Sequence, residues 1–432
     1  TAFLAMTTIY GGGVFQVSEA EARDPEMMLE RTARVEGQFI FDDQTHFLRD
    51  DFPHEAILGL GEFAAEHWNP KLKEEGLSLT RYKFENYIAE LWYRSDTKMS
   101  LLSGAPFDDP TWWLLHNDQI VAARDMINDF AGSTRMLGHT VITPGQDGWM
   151  DEVDRAIEVL KPDSWKSYTI GDPLSPSKYP WRLDDEKLMY PFYEKAVKAY
   201  RNGGPKPTIC IHKGLLPPDY ETSFKGVWQY ATVDDVPKAA QDWPEMNFVI
   251  YHSALRPFLE LPDQAWNEFE ESGGYIKWSS DLAAIPEKYG VSNVYAEIGS
   301  TFANSAVAHP RFCAAFISTL VKGMGADHVV WGTDTVWYGS PQWQIEAMRR
   351  LEVPEDMQKK YDLPALGGEN SLTKQAIFGL NSARLYELGL NEAKNLPDMP
   401  SFSEDKIGQL AERFREEGGK PSNKRYGLVR TA

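Results

Sequence analysis

The sequence predicts an α/β fold of the (β/α)8 TIM-barrel type, and three observations predict it. Short β-type runs alternate with helix-like stretches through most of the 432 residues, giving eight strand candidates. The runs are apolar without strict alternation, as parallel strands buried on both faces require. No GxGxxG follows the first strand and no Walker-type loop occurs, which removes the main support for an open nucleotide-binding sheet.

The elements follow in order. GQFIFDD (37–43) opens the barrel and leads straight into QTHF. Residues 48–96 form a long, aromatic-rich insertion suited to part of a lid. KMSLLSG (98–104) precedes helix-like QIVAARDMINDFAG (119–132), and RMLGHTVIT (135–143) precedes WMDEVDRAIEVLK (149–161). SWKSYTI (164–170) precedes LDDEKLMYPFYEKAVKAY (183–200), whose leucine and acidic start read as a helix entry. PTICIH (207–212) and NFVIYH (247–252) flank helix-like DVPKAAQDW (235–243). SNVYAEIG (292–299) precedes AVAHPRFCAAFISTLVKG (306–323), and HVVWGTD (328–334) precedes PQWQIEAMRRL (341–351). The chain divides into an N-terminal arm (1–35), the barrel (36–392) and a C-terminal extension (393–432).

Composition narrows the function. A formal charge of 44 − 64 = −20 repels phosphate backbones and anionic membranes, so nucleic-acid binding is excluded as a leading reading. No apolar run reaches the roughly 20 residues of a membrane span. Cys210 and Cys313 are the two cysteines, with no CxxC, and read as buried apolar groups. With 14 Trp, 19 Tyr and 21 Phe, some aromatics are expected to line a pocket for a ring-bearing small molecule. Residues 1–22 are an apolar run followed by small and acidic residues. They resemble the tail of an export signal, with Ala20-Glu21-Ala22 as an A-x-A-like cleavage site. Export would give a periplasmic or extracellular protein; otherwise the expectation is cytoplasmic. The other reading of this segment is an apolar arm packed on the barrel or on a neighbouring subunit. With the polar tail ending KPSNKRYGLVRTA, that arm suggests a homo-oligomer, a dimer or higher.

Catalytic groups of such barrels sit at the carboxyl ends of the strands. The first strand ends in Gln44-Thr45-His46, the fifth in His212, the sixth in His252 and the eighth in Asp334. Three of nine histidines and an aspartate thus share equivalent positions. Neutral imidazoles with one carboxylate suit one divalent metal ion, Zn first, with Mn, Fe or Ca as alternatives. Such an ion lowers the pKa of bound water or polarises a substrate oxygen, while a nearby histidine moves protons.

These residues resemble the amidohydrolase superfamily, in the branch of amidohydrolase-related proteins near aminocarboxymuconate semialdehyde decarboxylase and the resorcylate-type decarboxylases. The resemblance runs through FDDQTHF, LDDEKLMYPFYEKAVKA, ICIHKG, DWPEMNFVIYHSA, VVWGTDTVW and IFGLNSARLYEL, over about residues 36–390. It implies that His46 and His212 are metal ligands and that His252 serves in proton transfer. It implies further that Asp334 binds metal or takes a proton from metal-bound water. The first position of the first-strand motif, usually His or Glu, is here Gln44. Its neutral amide oxygen suits hard cations better than zinc. Gln44 then either binds through oxygen, or hydrogen-bonds a metal-bound water, or marks a site that has lost its metal.

Lys166 on the fourth strand is read as a barrel-lining charge pairing with a carboxylate or the substrate, not as a bridge between two metals. Arg256 is a candidate holder of a substrate carboxylate, and Trp337 a candidate pocket wall. His139 reads as a satisfied barrel histidine, Lys213 as pointing away from the barrel axis, and Glu297 as either support for the site or substrate-facing. The leading expectation is a metal-dependent hydrolase whose activated water attacks an amide, ester or lactone carbon. The alternatives are non-oxidative decarboxylation of an aromatic or unsaturated acid, and a catalytically inactive barrel that acts as a binding protein.

Overall fold

A computed structural model describes residues 37–256, 262–388 and 402–419, with a few isolated residues outside them. The expected arm over 1–35 therefore lies almost wholly outside the described residues, as does the tail over 420–432. Eight parallel strands form one sheet in the order β1 to β8. They are Phe41–Thr45, Met99–Leu102, Met136–Val141, Ser164–Tyr168, Thr208–His212, Asn247–Tyr251, Val294–Glu297 and Val329–Val330. Nearly every strand residue is buried, which accounts for the continuous apolar runs.

The eighth strand is ladder-paired over just two residues. Beyond it the chain still closes the barrel onto β1. Asp43 N–H donates to Trp331 O at 2.8 Å, Asp334 N–H to Gln44 O at 2.9 Å and His46 N–H to Thr335 O at 2.6 Å. The fold is thus a closed (β/α)8 barrel. Its closing seam runs between Gln44-His46 and Asp334, so two pieces of the candidate site are brought together by the hydrogen bonds that shut the cylinder.

Helices separate the strands: α1 (Leu58–His67), α2 (Asn117–Ala131), α3 (Trp149–Arg155), α4 (Tyr190–Arg201), α5 (Val236–Asp242), α6 (Ser279–Tyr289), α7 (Pro310–Met324) and α8 (Gln342–Arg350). Two depart from expectation. α4 begins seven residues late because Asp185 accepts the Lys187 and Leu188 N–H groups, each at 3.0 Å, making a turn where a helix entry was expected. Pro191 then supplies an early helical position. The stretch expected as one helix over 306–323 breaks at Pro310, where His309 Nδ1 accepts the Phe312 N–H at 3.1 Å and caps a new helix.

The insertion between β1 and β2 lies over the β1–β8 end of the barrel. Tyr82 stands edge-on to Trp337 at 5.2 Å, Trp68 edge-on to Tyr338 at 4.8 Å, and Tyr87 OH meets Thr45 Oγ1 at 2.8 Å. The C-terminal extension packs on its own barrel where it is described. Asp405 is paired with the buried Arg135 just before β3, Phe402 lies under that guanidinium at 4.3 Å, and helix α9 (Lys406–Glu416) brings Phe414 against Tyr93. No described helix is long and apolar enough to cross a membrane.

Candidate active site at the carboxyl ends of the strands

His46, Gln44 and Asp334 meet where β1 and the chain after β8 close the barrel. His46 Nδ1 lies 2.8 Å from the Ser103 carbonyl, which can only accept, so Nδ1 carries a proton and Nε2 turns inward. That Nε2 sits 3.1 Å from Asp334 Oδ1. Gln44 Nε2 donates to the same oxygen at 3.1 Å, and Ser300 Oγ donates to Oδ2 while meeting Tyr338 OH at 2.6 Å. Burial pushes the Asp334 carboxyl up, but His46, His252 and Ser300 outweigh it and hold the group at about 2. Trp337 lies roughly parallel to the His46 ring, 6.0 Å away.

His212 and His252 form the opposite side. Their rings meet edge-to-face at 4.5 Å, and Tyr168 stacks on His212 at 4.3 Å. His252 Nδ1 donates to Gly299 O at 2.8 Å, which leaves Nε2 as its second nitrogen, whereas the His212 ring is engaged by the Gly214 main chain. Burial lowers both imidazoles, His252 to about 4 and His212 well below the ordinary value. The backbone here is strained: His252, Ser253 and Ala254 have φ of 62°, 47° and 52°, and Ser300 and Asp334 have 57° and 58°. Glu297 fastens the turn, its Oε2 accepting the His252 N–H at 3.0 Å and its main-chain oxygen accepting Ser253 Oγ at 2.7 Å. A side chain at Gly332 would run into that carboxylate, so glycine is required there.

The other expectations divide. Lys166 is fully buried inside the barrel, but it makes no pair: Nζ has no hydrogen-bond partner and lies 3.5 Å over the Tyr251 ring. Burial lowers it to about 8 against the pull of Cys210, Glu297 and Asp334. Arg256 is not brought to the site; its Nη2 contacts both Glu268 carboxylate oxygens at 3.1 Å. Lys213 points away as expected, to Asp235 at 2.7 Å. His139 was expected to be satisfied, yet neither ring nitrogen has a partner. Cys210 and Cys313 are buried and form no disulfide. Ser300 and Tyr338 escaped the sequence reading, although the strand-end rule extended a few residues beyond β7 reaches Ser300.

The donor set bears on a metal. With a proton on Nδ1, His46 Nε2 is an acceptor facing an anionic oxygen; a second proton or a shared cation reconciles them. A separation of 3.1 Å is also that of two ligands on one ion, since bonds of about 2.0–2.2 Å at about 90–110° place ligand atoms about 3.0–3.5 Å apart. The buried Gln44 Oε1 has no partner. Among the described residues, however, no group of three or more His, Cys, Asp and Glu side chains stands ready to hold a metal ion. The side chains as placed offer a pair, His46 and Asp334, with Gln44 Oε1 and His212 as further donors.

No family model matches the sequence, and no curated protein matches it. Several solved structures are similar in backbone. An uncharacterised TIM-barrel protein of Bordetella bronchiseptica shares 14% identity over 80% of this chain and 97% of its own, with a TM-score of 0.49. A 2,6-dihydroxybenzoate decarboxylase from Rhizobium shares 13% over 81% and 99%, at 0.47. A manganese-bound 5-carboxyvanillate decarboxylase from Novosphingobium aromaticivorans shares 14% over 82% and 98%, at 0.46.

Proposed function

We propose that this chain is a metal-dependent lyase that removes CO2 from an aromatic or unsaturated carboxylic acid. The observation that carries this choice is the state of Asp334. Hydrolysis by activated water asks that carboxylate to accept a proton from the water. Here Oδ1 already faces His46 and Gln44, and Oδ2 is taken by Ser300. Asp334 is thereby a residue that organises the site rather than a free base. In decarboxylation the bond from carbon to carboxylate breaks, CO2 leaves, and a proton takes its place on the carbon.

His46 and Asp334 would hold the divalent ion, with Gln44 Oε1 and His212 completing its donors. The amide oxygen favours a hard ion such as manganese over zinc. When bound, the ion draws electron density from a substrate oxygen. Trp337 offers a flat apolar face beside His46 for a ring, and its contact with Tyr82 brings the insertion over the site and helps keep water out. His252, held by Gly299 on one nitrogen and by Glu297 through its main chain, handles the proton. With Arg256 engaged by Glu268, Lys166 is the cation left to answer a substrate carboxylate.

The test is an assay of the manganese- and zinc-loaded protein against aromatic and unsaturated acids, and in parallel against esters, lactones and amides. CO2 release from an acid, abolished in His212→Ala, supports the reading. Turnover of an ester, lactone or amide without CO2 release restores the hydrolase.

A further inference from the structure

Three buried nitrogen atoms in one region of the barrel have no hydrogen-bond partner: Lys166 Nζ and both ring nitrogens of His139. Barrel interiors are ordinarily filled by branched apolar side chains, so unpartnered polar nitrogens there ask for a physical account. Strand register sets them in adjoining layers. Lys166 pairs with Val141 and Cys210, one step below the row formed by Tyr168, His212 and Tyr251.

Two tyrosine rings join the nitrogens into one cluster. Tyr251 carries Lys166 Nζ 3.5 Å above its centroid and stands 6.1 Å from the His139 ring. Tyr168 lies 5.1 Å from Lys166 Nζ and stacks on His212 at 4.3 Å. The acids that act on Lys166 through space are committed elsewhere. Glu297 accepts the His252 and Gly299 N–H groups, and Asp334 is taken by His46, Gln44 and Ser300. A buried ammonium with no hydrogen-bonded acceptor lacks its counter-charge.

We propose that Lys166 and His139, with the His212 ring beside them, form a cradle for a carboxylate-type anion, either the carboxylate of the substrate or free bicarbonate. The ammonium supplies the charge and the His139 imidazole supplies one N–H donor. The substrate arm of this inference rests on the lyase reading; its test does not use turnover.

The test is calorimetric titration of the full-length protein with benzoate, formate and bicarbonate, comparing wild type with Lys166→Met and His139→Gln. At least one anion binds wild type, and its affinity falls about tenfold or more in Lys166→Met and by a smaller factor in His139→Gln. Benzoate binding without the free anions assigns the cradle to a substrate carboxylate. Formate or bicarbonate binding without benzoate assigns it to the free anion. No binding to wild type overturns the proposal, as does equal affinity in Lys166→Met, which places the anion on a metal or the surface. Should Lys166→Met fail to fold, His139→Gln decides, and unchanged affinity there overturns the proposal. A protein that binds anions through Lys166 yet releases no CO2 keeps this inference and sinks the lyase reading. CO2 release with Lys166-independent anion binding does the reverse.

Discussion

The two sides of the strand-end site are wired differently. On the β1–β8 side a chain of polar contacts runs from Ser103 through His46 to Asp334 and on through Ser300 to Tyr338, with Gln44 alongside. On the β5–β6 side His212 is held by ring packing and the Gly214 main chain, and His252 by the main chain around it. The difference teaches a division of labour. The first side is an organiser whose groups, Gln44 Oε1 apart, engage one another. The second, with the Lys166 cluster beneath it, keeps donors open for what binds.

The sharpest way to break this comparison is Asp334→Ala. It strips His46, Gln44 and Ser300 of their shared acceptor in a buried place. We expect CO2 release to be lost and stability to fall by about 3–5 kcal/mol, read by denaturant unfolding. A change under about 1 kcal/mol would show that the network holds nothing.

Acid should dismantle the two sides in different windows. His252 titrates at about 4 in the fold against an ordinary 6.5. A lowered histidine favours the fold above its unfolded value, and that stability is lost as pH falls from about 6.5 to about 4. Asp334, at about 2 against an ordinary 3.8, loses its contribution later, between about 4 and about 2. Stability followed against pH should therefore decline in two stages; His252→Gln should make the first shallower, the lowered His212 and His139 carrying the rest of it, and Asp334→Asn should make the second shallower. A single stage untouched by His252→Gln would contradict the assignment.

His212→Ala sharpens the contrast from the other side. Activity should vanish as in Asp334→Ala, while the melting temperature stays nearer to wild type, because no buried charge loses its partner. Equal destabilisation by the two variants would erase the distinction. The smallest effect is that of Ser300→Ala, which removes one hydrogen bond to a charged group. About 1.5–3 kcal/mol should be lost, a few degrees in melting temperature for a chain of this size, with residual activity.

Much of this was legible in the sequence. Eight parallel strands buried on both faces leave apolar runs that local composition marks, and strand-end histidines stand out because histidine is scarce. Closure of the barrel then brings His46 to Asp334. What escaped depends on contacts between distant segments. Ser300 and Tyr338 carry common hydroxyls with no spacing signature. His139 has the sequence appearance of a satisfied core histidine; its lack of partners appears once β3 and β4 are placed side by side. Arg256 looked like a carboxylate holder because its Glu268 partner, twelve residues on, gives no local sign of turning back to it. The late start of α4 follows from the Asp185 turn, which competes with helix at an acidic segment that also suits a helix entry.

The most direct test of the central claim is turnover of aromatic acids in D2O with the metal-loaded protein, followed by NMR. CO2 release and one deuterium at the carbon that bore the carboxylate are expected, with both lost in His212→Ala. Products of ester, lactone or amide cleavage, with every carboxylate retained and no deuterium on carbon, would contradict it.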